Sequence, residues 1–160
     1  NGFPSVDILQ PMYNIVKRQA EVEILPMSKT ENIGVISYSP LGGGLLTGKY
    51  SAVDSSNKNS LGRLHDNSKY KKRYGQNWMY DAANSLVNLA NDLDYDPIAL
   101  AVAWVSYNDA ITAPIISARN LKQLKPSLDS VEISLDQETY NLISNISPTP
   151  PPATDRLEEV

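Results

Sequence analysis

Two stretches of this 160-residue chain carry residue types suited to holding a phosphorylated ligand. The first, Tyr38-Ser-Pro-Leu-Gly-Gly-Gly-Leu-Leu-Thr-Gly-Lys-Tyr50, places three consecutive glycines after a short β-branched run. Glycine lets the backbone approach a ligand closely and adopt positive φ. Exposed N–H groups there, with Lys49 nearby, suit a phosphate or pyrophosphate. The plainer alternative is a flexible turn. Gly43 to Lys49 also spells G-x-x-x-x-G-K, most of a P-loop. Tyr50 stands where that machinery needs a Ser or Thr hydroxyl on magnesium, and the apolar pair inside the segment fits a phosphate cradle poorly. A nucleotide hydrolase is therefore set aside.

The second stretch, Ile116-Ser117-Ala118-Arg119-Asn120-Leu121-Lys122-Gln123, lies where a strand ends and a helix begins. A helix N-terminus offers N–H donors and partial positive charge, and Arg119 adds a planar guanidinium. That pairing suits a phosphate monoester such as the 2′-phosphate separating NADP from NAD. The ordinary alternative is a capped helix start with a solvated arginine. Tyr38 could offer its flat face to a ring or be a rim aromatic. Gln10 could fix an amide-bearing ligand or be solvated. His65, between Leu64 and Asp66, reads as a solvated loop histidine. Lys69, Lys71, Lys72 and Arg73 read as an exposed helical face, and Trp78 and Trp104 as packing residues.

Strands and helices must position these groups. Val6 to Gln10, closed by Pro11, predicts a buried strand ending in a loop. Residues 19–31 are rich in helix formers, with Pro26 predicting a short turn before it and a proper helix after it. Gly34 to Tyr38 predicts a second strand. Residues 51–76, heavy in Ser, Asn and Lys, form a long surface excursion. Met79, Ala83, Leu86, Ala90 and Leu93 then repeat at helical spacing. Asp96-Pro97 starts another helix, apolar on all sides and so expected between layers. Thr112 to Ile116 predicts a third strand. Asn120 caps a helix with Leu121, Leu124, Leu128 and Val131 as its apolar stripe and Gln123 at the capping-box position. Asp136 caps a last helix carrying Tyr140, Ile143 and Ile146. Residues 1–147 form one unit and 148–160 a Pro-rich extended tail.

Composition narrows the partners. With Lys+Arg 14 against Asp+Glu 18, the net charge of −4 argues against a nucleic-acid surface. Zero cysteines exclude disulfides and thiolate metal sites, and a single histidine excludes a multi-His zinc site. The longest apolar run, Ile98 to Val105, falls far short of the about 20 residues a bilayer needs. The N-terminus lacks signal-peptide features, so no membrane partner and a cytoplasmic location are expected. Strands alternating with helices give an α/β fold with a parallel sheet. Three parallel strands leave two edges open, so the chain reads as part of a larger sheet or barrel.

The stretches Gln10-Pro-Met-Tyr-Asn-Ile-Val-Lys-Arg, Tyr38 to Tyr50 and Ile115-Ile-Ser-Ala-Arg-Asn-Leu-Lys-Gln-Leu resemble the aldo/keto reductases. The nearest branch holds bacterial general-stress oxidoreductases and the potassium-channel β subunits. The resemblance runs over nearly the whole chain, including Ser147-Pro-Thr-Pro-Pro-Pro-Ala. It implies the C-terminal portion of a (β/α)8 TIM barrel, about strands six to eight with their helices, with NADP(H) across the strand ends. By resemblance, Gln10 bonds the nicotinamide carboxamide and Tyr38 stacks on its ring. Ser39, Pro40, Leu41 and Gly43 line the pyrophosphate, with Lys49 and Arg63 reaching over it. Ser117 replaces the family's usual glycine. Arg119, Gln123 and Ser127 match positions holding the 2′-phosphate and adenine, while Pro126 replaces a frequent acidic residue.

The family's catalytic Asp, Tyr, Lys and His come from the first four strands and their loops. None falls on this chain, so no catalytic residue is expected here. A complete barrel needs roughly 250 residues. The expectation is an NADP(H)-binding part of a carbonyl reductase, inactive alone and acting on an aldehyde or ketone only in a complete barrel. The alternative is a non-catalytic half-barrel completed by a partner chain or by self-association through its open edges.

Overall fold

The run Gly34-Val35-Ile36-Ser37-Tyr38 becomes the middle strand of a three-stranded parallel sheet in the computed structural model of the chain, which describes residues 2, 4–50, 64 and 67–152. Strand β1 (Ile8–Leu9) pairs with β2 (Gly34–Tyr38) through Ile8↔Gly34 and Leu9↔Val35. On its other side β2 pairs with β3 (Ala113–Ile115), with Ile36 opposite Ala113 and Tyr38 opposite Ile115. Spatial order follows chain order. Successive right-handed crossovers that step one strand in the same direction curl a sheet toward a barrel.

Val35 and Ser37 are fully buried on one face of β2, whereas Gly34, Ile36 and Tyr38 are half-buried on the other. That alternation is the period-two signature of a sheet with one face under helices. Among the described residues both edges are open: Val6 before β1 and Ile8 within it are 57% and 58% exposed, and Ile115 on β3 is 40% exposed.

The helices are α1 (Ile24–Thr30), α2 (Ser68–Tyr74), α3 (Asn77–Asp92), α4 (Pro97–Tyr107), α5 (Leu121–Asp129) and α6 (Gln137–Ser144). Single 3₁₀ turns cover Gln19–Glu21 and Ser130–Glu132. α1 begins before Pro26 rather than after it. The proline takes the third helical position, where its missing N–H would have had no intrahelical acceptor. α3 buries Met79, Ala83, Leu86 and Ala90, as their spacing predicts. α4 is closed at its start by the Asp96 carboxylate, which accepts from Ile98 N at 2.7 Å and Ala99 N at 3.4 Å. Residues Ala99 to Val105 of α4 are all buried, and α4 packs against α3, α5, α6 and β3. Asp136 caps α6 by accepting from Thr139 N at 2.7 Å, a bond that holds its carboxyl below the ordinary range.

α5 departs from its expected face. Leu121, Leu128 and Val131 are 81%, 52% and 82% exposed and only Leu124 of the stripe is half-buried, while the buried positions are Ser127 and, in the following turn, Ser130. Periodicity marks an apolar stripe but not the element that covers it. Among the described residues this one is covered only at Leu124.

The core is organised by a row of aromatic rings. Tyr13 stacks on Trp104 at 5.1 Å, Trp104 on Tyr140 at 5.6 Å, and Tyr140 on Tyr107 at 4.6 Å. Arg18 lies 5.7 Å above the Trp104 ring and pairs with Glu21 through two 2.8 Å bonds. Its remaining nitrogen donates to Ser144 O at 2.8 Å, tying the loop after β1 to the end of α6. Burial opposes the Arg18 charge, but Glu21 outweighs it and raises the guanidinium pKa. The tail residues Pro148, Thr149, Pro150 and Pro151 line a cavity of about 100 Å³ with Ile15, Val16, Arg18, Gln19 and Trp78.

Candidate functional site

Parallel strands share one C-terminal end, and the predicted ligand-facing groups meet there. Gln10 follows β1, Tyr38 closes β2 and Ser117 lies two residues beyond β3. Met12 stands opposite Tyr38 in an isolated parallel bridge, which sets the loop after β1 beside the end of β2. Gln10 and Ser117 are exposed, and Tyr38 is half-buried. Brought together at this end are the Gln10 amide, the Tyr38 ring and the backbone that follows it.

That backbone turns abruptly. Ser39 has φ 60°, a left-handed conformation that costs a non-glycine residue roughly 1–2 kcal/mol. Pro40 is buried and Leu41 half-buried. The segment Gly42–Thr47 then makes short 3₁₀ turns broken by a kink, where Gly43 and Gly44 take φ 67° and 98°. Gly42 N donates to Ser39 O at 2.9 Å, and Gly44 N donates to Leu41 O at 2.9 Å. Two of the three glycine amides are therefore spent inside the turn instead of being exposed for a phosphate. The cause is local, since positive φ at Ser39, Gly42, Gly43 and Gly44 folds these two N–H groups back on carbonyls three residues earlier. Gly43, at φ 67°, has a second constraint: a Cβ there would stand 2.6 Å from Tyr70 Cδ1. Lys49 is exposed, with its ammonium 4.9 Å from the Tyr50 ring centroid.

Across the sheet, Arg119 is exposed and makes no side-chain hydrogen bond or ion pair among the described residues. Asn120 caps α5 by accepting from Gln123 N at 3.0 Å. Gln123 reaches back as a capping-box residue would, but one position further, accepting from Arg119 N at 3.1 Å. Arg119 is thus held by its backbone while its guanidinium faces solvent. Ser127 is only 3% exposed, so it does not share the open surface of Arg119 and Gln123. Arg63 and His65 lie outside the described residues.

Two residues at this end do not stand out in the sequence. Asn14 is fully buried and bonds Ser39 O, and Tyr74 at the end of α2 is fully buried beneath the glycine turn. Burial pushes the Tyr74 phenol pKa up. The one hint is a polar residue inside Tyr13-Asn14-Ile15-Val16, since a buried amide must find partners. A shallow cavity of about 200 Å³ between α4 and residues 130–135 includes none of these groups. Among the described residues no cluster of His, Asp or Glu could hold a metal ion, and no helix is long and apolar enough to cross a membrane.

A scan against protein-family models matches residues 2–148 to the aldo/keto reductase family. An uncharacterized oxidoreductase of Bacillus subtilis, YrpG, is 33% identical over 141 residues, covering 88% of this chain and 40% of its own length. A human aflatoxin B1 aldehyde reductase is 31% identical over 145 residues, covering 82% and 40%. Among solved structures, a glycerol dehydrogenase from Gluconobacter oxydans superposes with a TM-score of 0.69 at 27% identity, over 87% of this chain and 41% of that one. The chain spans about two fifths of the length of these relatives.

Proposed function

This chain belongs to the aldo/keto reductase family, and from that premise we propose that it is the NADP(H)-binding C-terminal part of a carbonyl-reducing oxidoreductase. Its three strands are the sixth to eighth of a (β/α)8 barrel. The observation that carries the reading is the gathering of Gln10, Tyr38 and the glycine turn at one end of a parallel sheet, with Arg119, exposed and without a side-chain partner among the described residues, at the helix start after β3.

The residues present fit a dinucleotide. Tyr38 is half-buried, and Gln10 and Arg119 are exposed, at one end of the sheet. The Cβ side of Gly43 is filled by Tyr70, which leaves a ligand only the opposite side of that turn. Gln10 would hold the carboxamide of the nicotinamide. Ser39, Pro40, Leu41 and Gly43 would line the pyrophosphate, with Lys49 and Arg63 supplying positive charge. Ser117 and Arg119 would take the 2′-phosphate end and Gln123 would border the adenine, while Ser127, buried on α5, would not reach it. Because two glycine amides are turned inward, Lys49 carries more of the pyrophosphate than an open amide cradle would leave to it. When bound, the cofactor supplies a hydride to an aldehyde or ketone. This chain's part is to orient it, and the proton donor comes from elsewhere in the complete barrel.

Fluorescence titration with NADPH and NADH tests the cofactor assignment. A charge-assisted phosphate bond is worth roughly 1.5–3 kcal/mol, so Arg119→Ala should weaken NADPH binding about 10- to 100-fold. NADH binding should stay nearly unchanged. Equal losses for both would remove the assignment.

A second reading has its own observation. Val6, Ile8 and Ile115 at the sheet edges and Leu121, Leu128 and Val131 on α5 and the turn after it are exposed among the described residues, the apolar side chains a completing chain would cover. On this reading the chain is completed by a partner chain or a second copy. Sedimentation velocity should then show concentration-dependent association, and a monodisperse monomer across micromolar concentrations would count against it.

A further inference from the structure

Three segments that come together at the C-terminal end of the sheet are bonded to one side chain. Asn14 is fully buried between Tyr13 and Ile15. Its Nδ2 donates to Ser39 O at 2.8 Å and to the Tyr74 hydroxyl at 3.4 Å, while its Oδ1 accepts from Val16 N at 3.1 Å. Its backbone exchanges two hydrogen bonds with Lys17, so the side chain springs from a closed turn. Ser39 O accepts from both Asn14 and Gly42 N, which orients the carbonyl of a residue held at positive φ.

The Tyr74 end of this arrangement belongs to α2. The Tyr74 hydroxyl donates to Met12 Sδ at 3.3 Å. Its ring lies 3.6 Å from where a Gly42 Cβ would stand and 3.4 Å from the corresponding point on Gly43. One turn earlier, Tyr70 closes against Gly43. α2 is therefore seated on the glycine turn by two tyrosines, and Asn14 bonds both the seat and the turn.

We infer that Asn14 is a positioning residue that couples the docking of α2 to the conformation of the Ser39–Gly44 turn. The two segments open and close as one cooperative unit, and a ligand that orders the turn orders α2 with it. Buried amide networks of this kind are cooperative because each member's geometry depends on the others. The consequence for cofactor affinity rests on the proposed dinucleotide reading of that turn, whereas the coupling itself does not.

Amide hydrogen exchange on the 160-residue chain tests it, because local opening is read segment by segment. Asn14→Ala should speed exchange about tenfold in both residues 39–46 and 68–74, the loss expected for one net hydrogen bond. The amides of α4 should keep their protection. Asn14→Asp keeps the acceptor for Val16 N but loses the donor to both Ser39 O and the Tyr74 hydroxyl, so it should loosen the turn and α2 together. Tyr74→Phe, which removes the bond to Asn14, should likewise loosen residues 68–74 and 39–46 together, by less than Asn14→Ala. Loosening of one segment with the other untouched in Asn14→Ala, or equal loosening of α4, would overturn the coupling. Should Asn14→Ala not fold, Asn14→Asp and Tyr74→Phe carry the same comparison. NADPH titration of the same proteins separates the two ideas. A wild-type chain that binds no NADPH removes the dinucleotide reading, while the exchange data still decide the coupling.

Discussion

Replacing Trp104 with alanine is expected to lower the unfolding free energy by about 4 kcal/mol, within the range for deleting a fully buried tryptophan. Trp104 has no exposed surface, and its ring lies between Tyr13 on one side and Tyr140 on the other. Its indole N–H donates to Ser144 Oγ at 2.9 Å, and the Arg18 guanidinium sits over its face. The cavity left by alanine would take from α4 its contacts with two other elements at once, the loop after β1 and α6. A domain of this size is stable by only about 5–15 kcal/mol, so the variant would lose a large share of that margin. Urea unfolding followed by far-UV circular dichroism gives the number. Trp104→Phe separates the contributions, because it keeps an aromatic ring in the row and loses the bond to Ser144. It should cost roughly 1–2 kcal/mol. A loss below about 1 kcal/mol for the alanine variant would mean the site collapses around the gap and that the aromatic row does not organise the core.

Arg18→Ala carries the second-largest effect, about 3 kcal/mol, because it strands a partly buried carboxylate. The Arg18 and Glu21 side chains are 11% and 20% exposed, so solvent screens the pair only weakly. Without Arg18, Glu21 keeps the Tyr13 hydroxyl at 2.7 Å but no opposite charge. Burial and the neighbouring Glu21 push the Tyr13 phenol pKa up, so it remains a neutral donor that cannot replace a cation. The Ser144 carbonyl also loses its bond to Arg18, and with it the link across 126 positions of sequence. Arg18→Lys should recover less than half of the loss, since an ammonium cannot form the two-point contact with Glu21 and reach Ser144 together. Urea midpoints for both variants decide this, with full recovery by lysine ruling out the geometric account. Arg18 touches the Trp104 ring, so the double variant should lose less than the sum of the two.

Local signals account for much of what could be read from the residues alone. Asp96-Pro97 starts α4 because a carboxylate cap and a proline without an N–H both suit a first turn. Met79, Ala83, Leu86 and Ala90 mark the buried side of α3 because helical period and burial are the same pattern seen twice. Alternating strands and helices imply parallel pairing, and parallel strands put the residues after β1, β2 and β3 at one end. Gln10, Tyr38 and Ser117 could therefore be assigned to a common edge with no coordinates.

Other features depend on which distant residue arrives beside a given one. The glycine amides looked exposed until Ser39 and Leu41 were found to accept two of them. Pro26 looked like a boundary, yet α1 starts early enough to place it in the first turn. The stripe of Leu121, Leu128 and Val131 named an apolar surface correctly, but its direction depends on which neighbour α4 leaves room for. Asn14 meets Ser39 across 25 positions and Tyr74 across 60, distances at which no spacing rule operates. Sequence determined the elements and the shared end of the sheet, because caps, prolines and hydrophobic period act within a few residues. Only the tertiary structure decided the Asn14 network, the aromatic row and the Arg18 tie, because those bonds exist once register and packing have brought remote segments together.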